Sequence, residues 1–211
     1  MPKPLQPFTF ADSLFGTGDV KVLNYALALE ATEADLYRQA LIRLTTGGTI
    51  NGVNVAGLGL TASQPDVDYV SRFGRVEREH RDFLIAGITQ AGATPITSGA
   101  LSGATFDFGI GSLDRRGVVD LLRVVEATGT EAYLGAIPFF STKTYLAVAG
   151  GIQATEARHT AVITAVQNSL FGSSFATAPL VNQNNGIDRI DQTPDIILGI
   201  VSGPNGFIVL P

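Results

Sequence analysis

The sequence predicts an all-α fold of four long helices, and three observations predict it. Apolar residues recur at helical spacing through four separate stretches, proline, glycine and small polar residues fence those stretches, and every glutamate in the chain falls inside them. A length of 211 residues accommodates one domain with a sizeable core. A single domain over 1–211 is therefore expected, with a helical bundle over about 19–170 and a C-terminal arm over about 171–211.

The first helix is expected from near Asp19 to about Leu44, where Thr45, Thr46, Gly47 and Gly48 end it. Leu23, Leu27, Glu30, Ala34, Tyr37 and Leu41 form its inner stripe, apolar except where Glu30 interrupts it. Residues 46–64 are rich in Gly, Thr and Asn with alternating valines and leucines, the pattern of a small hairpin or packed loop. The second helix opens near Pro65, a residue tolerated in a first turn, and runs to about Gln90. Phe73, Glu77, His80, Leu84 and Ile88 share its inner side, whereas Arg75, Arg78, Glu79 and Asp82 mark a solvated face.

Residues 93–112 form a Gly/Ser/Thr-rich link whose only charge is Asp107. Twenty extended residues reach up to about 66 Å, and a helix of twenty-five residues is only about 37 Å long, so this link can cross the whole bundle between helices two and three. The third helix follows Ser112 or Asp114 and fades at Pro138, with Leu122, Val125, Glu126, Gly129 and Tyr133 facing inward. The fourth begins around Ser141 and Thr142 and stops near Phe171 and Gly172, its inner stripe reading Ala149, Ile152, Glu156, His159, Ile163 and Val166. Beyond it, Asp195 to Val201, Gly203 to Gly206 and Phe207 to Leu210 read as a terminal hairpin or extended arm that covers either the bundle or a neighbouring subunit.

Composition excludes several function classes. The net charge of -5 comes with no basic stripe, so nucleic-acid binding has no electrostatic footprint. Zero cysteines exclude disulfides, thiolate catalysis and iron–sulfur clusters. No apolar run is long enough to span a bilayer. The first residues lack the charged-then-apolar order of a secretory signal, which leaves the compartment open between cytoplasmic and exported after processing.

Both histidines follow a glutamate by three positions, in Glu77-Arg78-Glu79-His80 and Glu156-Ala157-Arg158-His159. Residues three apart on a helix are surface neighbours, so each pair can present a carboxylate and an imidazole to one point. A second repeat, Glu-Ala-Thr followed by Tyr seven residues after the glutamate, links Glu30 with Tyr37 and Glu126 with Tyr133. Four carboxylates and two imidazoles around one centre would be prohibitively costly to bury without cations. Two divalent metals, iron or manganese by donor type, relieve that cost.

The chain thereby resembles the ferritin-like superfamily of dimetal-carboxylate proteins. More narrowly, the stretches Leu23 to Thr32, Glu126 to Ala136 and Ile152 to His159 are similar to the ferritin-like family of desiccation-related proteins. The resemblance implies an antiparallel four-helix bundle with two pseudo-symmetric halves and a dimetal centre between them. It implies Glu30 and Glu126 as terminal or bridging ligands, Glu77 and Glu156 as bridging or chelating ones, and His80 and His159 as caps of one ion each. Tyr37 and Tyr133 become candidates to hydrogen-bond a ligand carboxylate or donate an electron, Glu33 an extra carboxylate, and Asn24 and Asp120 candidates to orient an imidazole. The implied activity is oxidoreduction of dioxygen or hydrogen peroxide in oxidative or desiccation stress, as iron oxidation, peroxide reduction or catalase-like disproportionation at manganese. A non-enzymatic metal-binding protein is the alternative, and a homo-oligomer built through the C-terminal arm is a further expectation.

Overall fold

Four long helices make up most of the described chain, residues 11–175 and 207–209 of a computed structural model. A single turn α1 (Asp12–Phe15) precedes α2 (Gly18–Leu44), the strands β1 (Gly47–Ile50) and β2 (Val53–Ala56), and α3 (Pro65–Gln90). Strand β3 (Thr105–Phe106) and a 3-10 turn (Ile110–Ser112) lead to α4 (Arg115–Ala136), a second 3-10 turn (Ile137–Phe139), α5 (Lys143–Phe171) and β4 (Ile208–Val209).

Local chemistry sets the boundaries. Pro65 opens α3 without losing an amide partner, and Asp66 and Asp68 place negative charge on its first turn. Asp114 caps α4, its Oδ1 accepting from the Gly117 amide at 2.7 Å. The α5 amino end is capped from another helix: Asp19 of α2 accepts from the Ser141 and Thr142 amides at 2.7 and 3.0 Å. Gly172, at φ 65°, stops α5. Between β1 and β2, Asn51 and Gly52 both take positive φ, the two-residue turn that matches the twist of a hairpin.

The helix directions follow from which residues meet. Along α2, Asn24 bonds Thr94 just past the end of α3, whereas Tyr37 packs on Gly74 earlier in α3. Along α4, Asp120 meets Gln167 and Thr130 meets Thr160. Across the halves, Glu30 meets Tyr133 and Tyr37 meets Glu126, while Glu77 meets His159 and Glu156 meets His80. Each neighbouring pair thus runs antiparallel, and the diagonal pair α3 and α4 runs parallel. Arg115 at the start of α4 grips Asp66 at the start of α3 through both carboxylate oxygens, at 2.7 Å each. The link between α3 and α4 must therefore travel the length of the bundle, as its reach allows.

The expected inner stripes are buried, except that Leu41, Phe73 and His80 are only partly covered. Helix α2 goes further than a one-sided stripe, since Val22 to Ala34 is buried without a break. The crossing link covers its outer side: Asn24 accepts from the Ile96 amide at 2.7 Å and Gln39 donates to the Phe106 carbonyl at 2.7 Å. The apolar core falls into two clusters, one around Leu27, Leu84, Ile88, Ala132 and Ile152, the other around Leu36, Val67, Val118, Leu122 and Ile163.

The described end of the C-terminal arm lies on its own chain. β4 pairs antiparallel with β3, Ile208 opposite Phe106, and Ile208 is buried against the first cluster. The remainder of the expected hairpin or arm, the apolar segment 195–201 and the Gly/Pro/Asn stretch 203–206, lies outside the described residues. Among the described residues, no helix is long and apolar enough to cross a membrane.

Candidate metal centre

Each long helix delivers one glutamate to a common point, and α3 and α5 each add the histidine three residues later. Glu30, Glu77, Glu126 and Glu156 are completely buried, as the inward stripes require, and His159 nearly so. Their donor atoms fall into two groups, Glu30, Glu77, His80 and Glu156 in one and Glu77, Glu126, Glu156 and His159 in the other, each within 4.8 Å. Glu77 and Glu156 belong to both. All six residues expected from the spacing are therefore brought together.

The distances suit cations. Donors held about 2.1 Å from one ion at octahedral angles stand about 3 Å apart. His80 Nδ1 lies 3.0, 3.3 and 3.5 Å from oxygens of Glu77, Glu30 and Glu156. His159 Nδ1 lies 2.6 Å from Glu77 Oε1 and 3.4 Å from Glu126 Oε1. Yet His159 Nδ1, Glu77 Oε1, Glu30 Oε2, Glu126 Oε2 and both oxygens of Glu156 are buried without a hydrogen-bond partner. Orphaned donors this close, all aimed at one interior, are what ion coordination accounts for and ordinary packing does not. The buried Glu and His groups could hold a metal ion, and the residues present fit that role.

The two tyrosines act crosswise. Tyr133 of α4 donates to Glu30 Oε1 of α2 at 2.5 Å, and Tyr37 of α2 donates to Glu126 Oε1 of α4. Burial, with the carboxylate charges beside them, holds both phenols well above their usual pKa, so they remain donors. Spacing had put each tyrosine on the metal-facing side of its helix; the structure adds that each serves the opposite half. Gly74 makes room for Tyr37, because a Cβ there would lie 2.7 Å from Tyr37 Cβ. Phe73 stacks on His159 at 3.8 Å between centroids, a contact that spacing could not reveal.

Glu33 is a fifth buried carboxylate at the centre. Its counterpart in α4 is Gly129, and an added Cβ there would come within 2.6 Å of Glu33 Oε1 and 3.1 Å of Glu156 Oε2. The glycine thus leaves the space that Glu33 fills. Asn24 and Asp120, by contrast, do not orient the imidazoles. Six residues carry a helix about 240° around, away from the metal-facing direction. Asn24 instead ties α2 to Phe15, Thr94 and Ile96, and Asp120 accepts from Gln167.

Protons occupy the charge balance when cations do not. Burial lifts the Glu30 carboxyl to about 7 although His80 pulls the other way. Burial and the neighbouring carboxylates raise Glu33 and Glu156 well above the usual range, and burial raises Glu126. Burial also opposes the charge on Glu77, but its contacts with His159 and His80 outweigh that and bring it to about 2. Burial disfavours both imidazolium charges, but contacts with Glu156, Glu30 and Glu77 outweigh it and push His80 to about 12, and contacts with Glu126 and Glu77 push His159 to about 9. One carboxylate between two imidazole groups, ringed by acids that burial biases towards their protonated forms, can exchange protons for metal charge.

A family model described as a ferritin-like domain matches residues 18–169, which takes in α2 to α5 almost end to end. A search of curated proteins returned no match.

Proposed function

This chain belongs to the ferritin-like domain family, and from that premise we propose that it is a dimetal oxidoreductase acting on dioxygen or hydrogen peroxide. Glu30 and His80 would hold one divalent ion and Glu126 and His159 the other, with Glu77 and Glu156 available to both; iron and manganese both suit this donor set. What supports the reading is that the two donor groups overlap in two glutamates while their buried oxygens lack hydrogen-bond partners. Bound as a reduced pair, the ions supply two electrons, which with two protons take one dioxygen to hydrogen peroxide or one hydrogen peroxide to two waters.

The chain's own residues set the conditions for that chemistry. Tyr133 and Tyr37 each occupy one oxygen of Glu30 and Glu126, which leaves the free Oε2 atoms to the ions. Four ligand carboxylates balance two divalent ions, so Glu33 stands outside the balance and keeps its proton at a carboxyl beside Glu156. There it is placed to give up that proton as charge at the centre rises, and Tyr37 and Tyr133 are placed to relay an electron. The setting we propose is oxidative or desiccation stress, with assembly through the C-terminal arm.

The test is elemental analysis followed by turnover. Purified protein loaded with iron or manganese is expected to retain two ions per chain and to show air-driven iron oxidation, peroxide loss or oxygen evolution. Retention of the ions with none of those reactions would leave a structural metal clasp and remove the enzyme reading.

A further inference from the structure

Between α2 and α4 a cavity of about 80 Å³ runs in from the surface, lined by Leu29, Leu121, Val124 and Val125, with Thr32 and Thr128 among them and Phe207 of the C-terminal arm at its side. Glu33 and Gly129, both buried, also line it. Gly129 is the position where a Cβ would touch both Glu33 Oε1 and Glu156 Oε2, so the Glu33 carboxyl, seated in the space that the glycine leaves, is what stands here between the cavity and Glu156. Glu33 Oε2 is buried there with no hydrogen-bond partner.

We propose that this cavity is the port through which dioxygen reaches the centre, making dioxygen rather than hydrogen peroxide the oxidant that the α2–α4 face admits. The inference rests on the dimetal reading and narrows its substrate. Apart from the Glu33 carboxyl, the walls offer an entrant almost no free polar group. The two threonine hydroxyls spend their protons on their own helix, Thr32 donating to Ala28 O at 2.8 Å and Thr128 to Val124 O at 2.9 Å. Dioxygen needs no hydrogen bond and prefers apolar surroundings. Hydrogen peroxide carries two O–H donors, and each one left unmet costs on the order of tenfold in occupancy. A polar entrant has other approaches: the partly exposed His80 edge, and a cleft of about 290 Å³ between α2 and α3 lined by Arg38, Thr46, Arg78 and Tyr37.

Val124 is half exposed at the cavity mouth, and neither it nor Thr128 belongs to the donor set, so both can be enlarged without touching the ligands. Xenon, an apolar probe of suitable size, is expected in the cavity of pressurised crystals of the wild type and absent from Val124→Trp. In iron-loaded protein, Val124→Trp and Thr128→Phe should slow oxidation by dioxygen at least about tenfold while oxidation by hydrogen peroxide stays within about twofold. Xenon failing to enter, or the two oxidants slowing together, overturns the port. Failure of the underlying reading shows differently, as a wild-type chain that binds xenon here but retains no iron.

Discussion

In the α2–α3 half of the bundle His80 keeps 15% of its side chain exposed, whereas His159 in the α4–α5 half keeps 4% and lies beneath Phe73. Four residues before the motif glutamate, α3 has Phe73 and α5 has Ile152, so the aromatic lid exists on one side only. The first half carries Glu33; the second has Gly129, which yields it space. Both halves nonetheless deliver the same Glu, ExxH and Tyr. Identical donor chemistry on unequal surroundings teaches that pseudo-symmetry builds the cluster, and the departures from it set access: His80 keeps an edge towards solvent, and His159 is enclosed.

The largest effects should come from the ligands. Glu77→Ala removes a donor shared by both positions and is expected to abolish retention of at least one ion, read by elemental analysis after gel filtration. His80→Ala and His159→Ala should each lose one, and in the wild type a chelator should extract the His80-side ion first. Equal extraction of the two would erase the asymmetry. Next come the crosswise phenols. Tyr133→Phe should weaken the His80-side ion, and Tyr37→Phe the His159-side ion, each by about 10–100-fold. Isothermal titration that found the opposite assignment would break the crosswise account.

A smaller effect appears with pH in chelated protein. The folded pKa of Glu30, about 7, exceeds its usual 4.5, so its contribution is complete below 4.5 and lost as pH rises through 7. His159, held at about 9 against 6.5, likewise contributes fully below 6.5 and loses it through 9. Glu77 works the other way, but its window lies between 4.5 and about 2. Melting temperature should therefore fall from about pH 5 to about pH 9 without metal, and metal should raise it most at the alkaline end because binding displaces protons. Chelation that leaves the melting curve unmoved at every pH contradicts this.

The smallest effects separate Asn24 from Asp120, which occupy equivalent positions in the two halves. Asn24→Ala strands the buried Ile96 amide and should cost about 2 kcal/mol in denaturant unfolding. Asp120, with 40% of its side chain exposed, should cost less than about 1 kcal/mol as Ala. Neither should change metal affinity.

Much of this was legible in the sequence, for physical reasons. Pro65, Asp114 and Gly172 act on their own backbone, so the helix limits could be read locally. Glu and His three apart must share a helix face, so four members of the cluster could be read from that spacing, and Glu30 and Glu126 from the repeat they share with Tyr37 and Tyr133. What escaped depends on partners distant in the chain. Heptad spacing places Tyr37 on the inner face but cannot say that its hydroxyl crosses to Glu126. Nothing near Phe73 announces His159, and the complete burial of α2 comes from a link whose residues are merely Gly/Ser/Thr-rich. Asn24 and Asp120 misled because matching offsets from Glu30 and Glu126 suggested matching work, whereas their direction on the helix sends them to the crossing link and to α5.

On the proposed reading two ions would sit within the cluster, one beside His80 Nδ1 and one beside His159 Nδ1. Anomalous diffraction from crystals of manganese- or iron-loaded protein measures that directly. Two peaks per chain at those positions are predicted; no peak within the six-residue cluster, or ions bound only at other carboxylates, would contradict it.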